Sequence, residues 1–295
     1  MRTDTSQPPL APQAAQSGLL LIDKPSGITS HDAVDRVRRV LGVRKVGHAG
    51  TLDPSATGLL LIGVGRATRL LRFLGDLPKT YEGTGVLGVE TTTLDAEGEV
   101  VRESSVEVTE SALREALAGF IGRLEQVPPA YSAVKVGGEK LYRAARAGRT
   151  VEAAPRSVEV FAFDLAGFIS PRFEFAVRCS SGTYVRSLVA DVGARLRCGA
   201  HLASLRRTAI GPFSVEEAVS PDEPRPLLPL ERAVEHLPSL TLQEDEAKAA
   251  VHGQCLGPTG IAGPYRAIGP DGRLIGIYRD TGAKACPDVI LAPPA

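Results

Sequence analysis

Residues 47–58 read GHAGTLDPSATG, and they are followed by the apolar run Leu59–Val64. Glycines, a proline and threonines at this density do not suit a regular element, so we expect a tight loop between a helix and a buried strand. Asp53 precedes Pro54, which restrains it to an extended conformation. An Asp-Pro pair also occurs in ordinary turns. Asp53 is therefore a candidate for a carboxylate held rigidly in a cleft, with a structural turn as the alternative.

Strand and helix patterns alternate on both sides of this loop. Gly18–Ile22 is typical of a buried strand. Ser30 is expected to cap the helix that follows, and Gly42 is expected to end it. The same reasoning predicts further strands at Tyr81–Val89, Glu99–Val106 (the two joined through the turn Asp95–Gly98), Val158–Leu165 and Phe173–Cys179, and helices beginning at Thr109 and Thr183. The predicted fold class is α+β: a mixed, mostly antiparallel sheet with flanking helices, followed by a small β-barrel.

Composition divides the chain into segments. Residues 1–17 are rich in Pro, Gln, Ala and Ser and lack the apolar core of a signal peptide, which predicts a disordered tail. Residues 18–237 carry the long strand and helix patterns. Residues 126–151 within them are basic and aromatic with weak periodicity, which predicts a partly helical insertion. Residues 238–295 contain short strands and Gly-rich turns, as expected of a small β-rich module.

The charges balance, but they are unevenly distributed. The chain has 34 basic and 34 acidic residues, so its net charge does not identify a nucleic-acid-binding protein. Basic residues nevertheless cluster at 36–45, at 66–72 and at 140–149. Such faces suit a polyanionic partner, and they also occur on ordinary helix surfaces.

The cysteines and apolar runs exclude several classes of protein. Cys179, Cys198, Cys255 and Cys286 form no C-x-x-C pair and no ligand-spaced cluster with histidine, so we expect no metal and reduced thiols in a cytoplasmic protein. The longest apolar runs are too short to cross a bilayer, so we expect no membrane contact. A phosphate-binding loop or dinucleotide fingerprint between strand and helix is missing, which argues against those enzymes.

Six segments between residues 18 and 215 can be compared with known motifs as an ordered set. They are DKPSGITS at 23–30, the loop at 47–60, KTY at 79–81, YSAVK and KLY at 131–142, SGTYVR at 181–186, and residues 199–207. In this order they resemble the tRNA pseudouridine synthase B family. The resemblance assigns residues 18–237 to a pseudouridine synthase catalytic domain, with residues 126–151 as its RNA-clasping insertion. Residues 238–295 resemble the family's small PUA-like RNA-binding domain.

The resemblance implies an activity and its catalytic residues. Members break the N1–C1′ bond of a uridine in the T-loop of tRNA (position 55), turn the uracil and rejoin it through C5, without cofactor or metal. Asp53 matches the essential carboxylate, acting either as a nucleophile or as the base that removes a ribose proton. Arg186 would supply its counter-charge, and Tyr81 would stack on the uracil. We expect a monomer whose partner is the T-arm of tRNA.

The resemblance also implies contacts with RNA. Because the target base must be flipped out of its stack, His48 is expected to fill the gap that it leaves. Leu205 is expected to line the uracil pocket. The other predicted substrate-binding residues are Lys24, Gly50, Thr51 and Tyr184. The predicted RNA-binding residues are Lys135, Lys140, Tyr142, Arg143, Arg146, Arg206 and Arg207.

Two other functions fit part of the pattern. A guide-RNA-dependent pseudouridylase subunit shares the Asp loop but lacks the long insertion, so the insertion favours the stand-alone enzyme. An RNA-binding protein that helps tRNA fold without turnover would not need the full set of Asp53, Tyr81 and Arg186.

Overall fold

The computed structural model describes residues 17–132, 134–149, 151, 153–223 and 227–291. Residues 1–16 of the predicted disordered tail lie outside this part of the chain. The helices are α1 (Ser30–Leu41), α2 (Leu71–Gly75), α3 (Glu110–Ala118), α4 (Leu141–Arg146), α5 (Val185–Arg195) and α6 (Glu244–Val251). The strands are β1 (Gly18–Lys24), β2 (Val46–Ala49), β3 (Thr57–Val64), β4 (Lys79–Leu87), β5 (Val89–Thr91), β6 (Val100–Glu103), β7 (Gly122–Gln126), β8 (Lys135–Val136), β9 (Glu139–Lys140), β10 (Arg156–Ile169), β11 (Arg172–Cys179), β12 (Ala200–Ile210), β13 (Phe213–Ser214), β14 (Ser239–Thr241), β15 (Pro264–Ile268), β16 (Leu274–Thr281) and β17 (Lys284–Ile290).

One large sheet organises the first part of the chain. Its strand order is β1-β3-β12-β4-β11-β10-β7, with β2 paired to β3 and β13 paired to β12. These neighbours run antiparallel except β12 and β3, which are parallel where Arg206 and Arg207 face Thr57 and Gly58. The predicted α+β fold with a mixed, mostly antiparallel sheet is confirmed.

Two glycines of the central strand β4 leave room for aromatic rings from the neighbouring strand β11. A Cβ added at Gly83 or Gly85 of β4 would lie 2.6 or 2.3 Å from the rings of Phe175 and Phe173 on β11. Because the rings occupy that space, side chains longer than hydrogen are excluded at both positions. The rings and helices α3 and α5 form a core on one face of the sheet. Helix α1 packs on β1 and β3 in a separate core.

The C-terminal part of the chain forms a second, four-stranded sheet. Its order is β14-β15-β16-β17, and α6 packs against it. Its apolar residues Leu274, Ile277 and Val289 join one core cluster with Leu70 and Leu74 of the first part. The described strands do not show the closure that the predicted barrel requires, so closure stays a prediction.

Three arginines attach this second sheet to the first part of the chain. The guanidinium groups of Arg66, Arg69 and Arg72 donate hydrogen bonds to backbone carbonyls at or next to β17. The acceptors are the carbonyls of Leu291, Ile290 and Asp288, at 2.6, 2.6 and 2.8 Å. One of the basic clusters noted in the sequence therefore holds two sheets together, at least in part.

The cysteines differ from the prediction of reduced thiols. Cys255 and Cys286 form a disulfide across a sequence separation of 31 residues, while Cys179 and Cys198 are free and buried. The prediction was wrong for the first two because sequence spacing did not reveal that β17 lies beside the segment after α6. Backbone hydrogen bonds in both directions between Leu256 and Ala285 bring these two segments together.

Candidate active site

The loop around Asp53 is shorter than predicted. Residues 47–49 belong to β2, and residues 57 and 58 belong to β3, so only residues 50–56 are irregular. We call residues 50–56 the aspartate loop. Gly50 begins the loop and Gly58 lies just after it, with φ values of +79° and +100°, a region that favours glycine. The glycines therefore shape the two ends of the loop, although they do not exclude strand pairing next to it.

The first motif of the sequence holds the aspartate loop from one side. Lys24 is 0% exposed, and its Nζ donates to the carbonyl of Pro54 at 3.1 Å and to two carbonyls of its own turn. The backbone N–H of Gly27 also donates to the Pro54 carbonyl. Ser30 Oγ accepts from the N–H of Leu52 and donates to its carbonyl. The DKPSGITS motif thus positions the loop, because its donors bind backbone carbonyls of the loop.

The structure bears on two predictions about this motif, and it corrects the second. Substrate binding by Lys24 stays a prediction, and in this structure its ammonium group is buried against carbonyls. Burial lowers the pKa of Lys24, and the charge of Asp53 opposes that shift. Ser30 was expected to cap α1, but Thr29 does so through a hydrogen bond from the N–H of Asp32. Ser30 is one residue too late to cap the helix, and it binds the aspartate loop instead.

Arg207 holds the aspartate loop from the other side. It is 1% exposed, and it donates from Nε to the carbonyl of Leu59 at 2.7 Å and from a terminal nitrogen to the carbonyl of Gly50 at 2.9 Å. A Cβ at Gly58 would lie 2.3 Å from the Arg207 carbonyl oxygen, which explains the glycine there. The predicted contact of Arg207 with RNA stays a prediction, and in this structure the side chain is buried against the aspartate loop. Its neighbour Arg206 faces outward and pairs with Asp23 at 2.7 Å.

Asp53 and Arg186 lie together at the surface of the cleft. The Asp53 side chain is 50% exposed, and one carboxylate oxygen lies 3.6 Å from a terminal nitrogen of Arg186. The Arg186 side chain is 6% exposed and occupies the first turn of α5. Asp53 thus combines a carboxylate that is half exposed with a guanidinium next to it.

A second carboxylate, which the sequence reasoning missed, orients Arg186. Asp95 lies 3.5 Å from the other terminal nitrogen of Arg186. Asp95 itself accepts hydrogen bonds from the Thr93 hydroxyl and the Glu97 N–H. The sequence places Asp95 in an ordinary turn. No motif or spacing relates it to Arg186, which lies 91 positions later in the chain. Only the fold brings these groups together.

Tyr81 and Leu205 lie on neighbouring strands behind Asp53. Tyr81 is buried on β4, where it faces Val177 of β11 and Arg207 of β12. Burial raises the pKa of Tyr81, while the charge of Arg207 opposes that shift, so the phenol is neutral at pH 7. Leu205 packs against the cluster that contains Leu52 and Tyr81. The structure thus brings the predicted uracil-contacting residues to one side of the aspartate loop.

His48 lies on β2, beside the N-terminus of α1. Its ring meets the ring of His31 edge-on, with 5.3 Å between the centroids. Burial, followed by the charges of His31 and Arg207, lowers the pKa of His48 to about 4. Its Nδ1 is buried without a hydrogen-bond partner in the described part of the chain. His48 is therefore an uncharged ring at neutral pH.

The predicted insertion is only partly described at the level of side chains. Its backbone forms β8, β9 and α4, which confirms some helical character. Lys135 and Arg143 are exposed and Tyr142 is partly buried, whereas the side chains of Lys140 and Arg146 lie outside the description. Tyr184 lies near the pair formed by Asp53 and Arg186, with 5.9 Å between its ring centroid and the Arg186 guanidinium.

The described residues contain neither a candidate metal site nor a candidate membrane-spanning helix. Groups of three or more His, Cys, Asp or Glu side chains that could hold a metal ion are missing from this part of the chain. Among the described helices, none is both long enough and apolar enough to cross a membrane.

Family profiles match this chain over most of its length. The N-terminal domain of the TruB family of pseudouridylate synthases matches residues 38–185. The chain belongs to the TruB family. The C-terminal domain of tRNA pseudouridylate synthase B matches residues 186–223, and the C-terminal domain of tRNA pseudouridine synthase II matches residues 237–292.

Curated members of the TruB family are similar over nearly their whole length. A tRNA pseudouridine synthase B of Thermobifida fusca is 46% identical over 93% of this chain and 98% of its own. A protein of the same name from Mycobacterium sp. (strain KMS) is 45% identical over 94% of this chain and 96% of its own. Among solved structures, the fold resembles a chain of a Cbf5-Nop10-Gar1 complex at 26% identity and a TM-score of 0.75, covering 96% of this chain and 88% of that one.

Proposed function

We propose that this TruB family member isomerises the T-loop uridine of tRNA to pseudouridine, with Asp53 as its catalytic carboxylate. The observation that carries the proposal is the position of Asp53. The aspartate loop that carries it is held by Lys24, Ser30 and Arg207 on two sides, while half of the Asp53 side chain remains open. A reactive group on a rigid support can meet a bound ribose and uracil without reorganising.

The other residues of the cleft have complementary roles in this proposal. Arg186 orients the Asp53 carboxylate, and Asp95 keeps Arg186 in place. A carboxylate in this state can attack the ribose or remove its proton, and both routes remain open. Tyr81 and Leu205 would contact the uracil, and the neutral ring of His48 would replace it in the stack of the T-loop.

The proposed RNA-binding surface is formed by the insertion and the C-terminal sheet. The insertion would clasp the T-arm through Lys135, Lys140, Tyr142, Arg143 and Arg146, and the C-terminal sheet would extend the contact as a PUA-like domain. Arg206 can contribute only if it leaves Asp23, since the two form a paired hydrogen bond. We further propose that the enzyme acts as a monomer in the cytoplasm and needs no metal or cofactor.

A guide-RNA-dependent subunit is the second candidate, because the fold resembles a chain of a Cbf5-Nop10-Gar1 complex. Against it stand the insertion built from β8, β9 and α4 and the identity of about 45% to curated stand-alone enzymes. An RNA-folding protein without turnover is the third.

The test measures pseudouridine in an unmodified tRNA transcript, with its position mapped and no metal, nucleotide or guide RNA added. Wild type is compared with Asp53→Asn and with Asp164→Asn, a control that changes an exposed aspartate on β10. We expect modification of the T-loop uridine by wild type and the control, and none by Asp53→Asn although it still binds tRNA. Tight binding without modification by wild type would contradict the proposal, and adding guide RNA would then separate the two alternatives.

A further inference from the structure

The insertion leaves the large sheet at a buried glutamine. Gln126 is the last residue of β7, and it pairs with Arg156, the first residue of β10, where the insertion returns. Gln126 is 6% exposed, although it begins a segment that is largely on the surface. A buried amide at such a position needs hydrogen-bond partners, because leaving it unpaired would cost folding free energy.

Both ends of the Gln126 amide bind the same residue at the start of α5. Its Oε1 accepts the backbone N–H of Tyr184 at 2.7 Å, and its Nε2 donates to the Tyr184 carbonyl at 3.0 Å. Tyr184 is the N-cap of α5, and its own side chain makes no capping hydrogen bond. Gln126 therefore fixes both backbone groups of the residue at which the helix begins, from a strand 58 positions earlier.

Arg186, two residues later, reaches back to the same insertion. A terminal nitrogen of Arg186 donates to the carbonyl of Tyr131 at 2.6 Å, the shortest contact of its guanidinium. The same nitrogen lies 3.6 Å from Asp53. The first residues of the insertion are thus joined to the start of α5 by two contacts, one between Gln126 and Tyr184 and one between Tyr131 and Arg186. Asp53 lies next to Arg186.

We propose that Gln126 is a positioning residue for pseudouridine formation, which sets Arg186 against Asp53 by fixing the start of α5 to the base of the insertion. This inference rests on the proposed function. Gln126 does not contact the reacting atoms, and it acts through the placement of the guanidinium. It also makes the base of the insertion and the catalytic pair one unit, so that RNA held by the insertion is held relative to Asp53.

Removing the amide leaves the backbone groups of Tyr184 with fewer partners, which frees the first turn of α5. Because Arg186 is part of that turn, its distance from Asp53 would no longer be restricted. A displacement of about 1 Å in such a group can reduce the rate of the chemical step by about a hundredfold. Binding of tRNA should change little, since the exposed basic residues of the insertion remain.

The experiment measures single-turnover pseudouridine formation at saturating tRNA, together with the Kd for tRNA. We expect Gln126→Ala to lower the rate by at least about tenfold, with the Kd within about twofold of wild type. Gln126→Asn keeps an amide that is one methylene too short to reach both Tyr184 groups, and it should show a smaller loss with a native circular dichroism spectrum. Gln254→Ala, which changes an exposed glutamine after α6, is the matched control.

A double-mutant cycle distinguishes positioning from general loosening of the structure. In an Arg186→Lys background the guanidinium is already gone, so Gln126→Ala should reduce the remaining rate by less than about twofold. If the effects of Gln126→Ala and Arg186→Lys on the rate are fully additive, the inference is overturned. It is also overturned if either Gln126 variant raises the Kd for tRNA and leaves the rate at saturating tRNA unchanged. Failure of the proposed function is a different result, because wild type itself would then form no pseudouridine.

Discussion

Arg207 offers the clearest test of how this site is held, because sequence and structure assign it different roles. The sequence suggests that Arg206 and Arg207 both contact RNA, whereas the structure buries Arg207 beneath the aspartate loop and leaves Arg206 at the surface. We therefore compare Arg207→Met with Arg206→Met as its matched control. The two variants remove the same charge and the same guanidinium from adjacent residues of β12.

The expected loss can be worked out from the Arg207 contacts. Two hydrogen bonds, to the carbonyls of Leu59 and Gly50 at 2.7 and 2.9 Å, are well formed, while the third, to Thr51 at 3.5 Å, is marginal. Each charged hydrogen bond contributes about 1.5–3 kcal/mol to the free energy of unfolding. Part of that loss is offset in the variant, because it no longer has to bury a charged group. We expect Arg207→Met to lower the free energy of unfolding by about 2–4 kcal/mol. Arg206→Met removes a partly exposed ion pair and should cost at most about 1 kcal/mol.

The assay combines thermal unfolding with single-turnover kinetics at saturating tRNA. Arg207→Met should lower the Tm by about 5–15 °C. It should also lower the rate by about tenfold or more, because Asp53 loses its fixed backbone. The salt dependence of tRNA binding should stay as in wild type, since no phosphate contact is removed. A weaker salt dependence with unchanged Tm and rate would refute this reasoning and restore Arg207 to the RNA-binding surface.

Three further predictions concern other parts of the molecule. Asp95→Asn should lower the single-turnover rate by about tenfold or more without changing the Kd for tRNA, because it removes the charge that orients Arg186; an unchanged rate would contradict this role. Between pH 6.5 and about 4 the unfolded chain protonates His48 while the folded chain does not, so the free energy of unfolding should fall as the pH falls, by on the order of 3 kcal/mol. Urea titrations across this range should show a flatter pH dependence for His48→Gln, and an identical curve would count against the low pKa. Reducing the disulfide between Cys255 and Cys286 should lower the stability of the C-terminal sheet by about 3–4 kcal/mol, since it opens a long loop; denaturation with and without reductant measures this, and coincident curves would contradict it.

The sequence by itself determined the fold class, the family and the position of the aspartate loop. Periodicity and turn residues are local properties, so they indicated β1, α1, β3 and the strands β10 and β11 without any knowledge of contacts. The ordered motifs added the resemblance to the pseudouridine synthases. They also named Asp53, Tyr81 and Arg186, which the fold brings to one cleft from separate elements.

Only the tertiary structure decided what each of these residues touches. Asp95 became part of the site because the turn before β6 is hydrogen-bonded to β12 at Leu202, which places Asp95 beside Arg186 of α5. Lys24, predicted to bind substrate, and Arg207, predicted to bind RNA, both support the aspartate loop, because their side chains are buried against it. The adjacent Arg206 faces the other side of its strand. The disulfide and the pairing of Gln126 with Tyr184 likewise join segments distant in sequence. Local patterns cannot specify such contacts, because they depend on how strands far apart in the chain pair and on which face of each strand is buried.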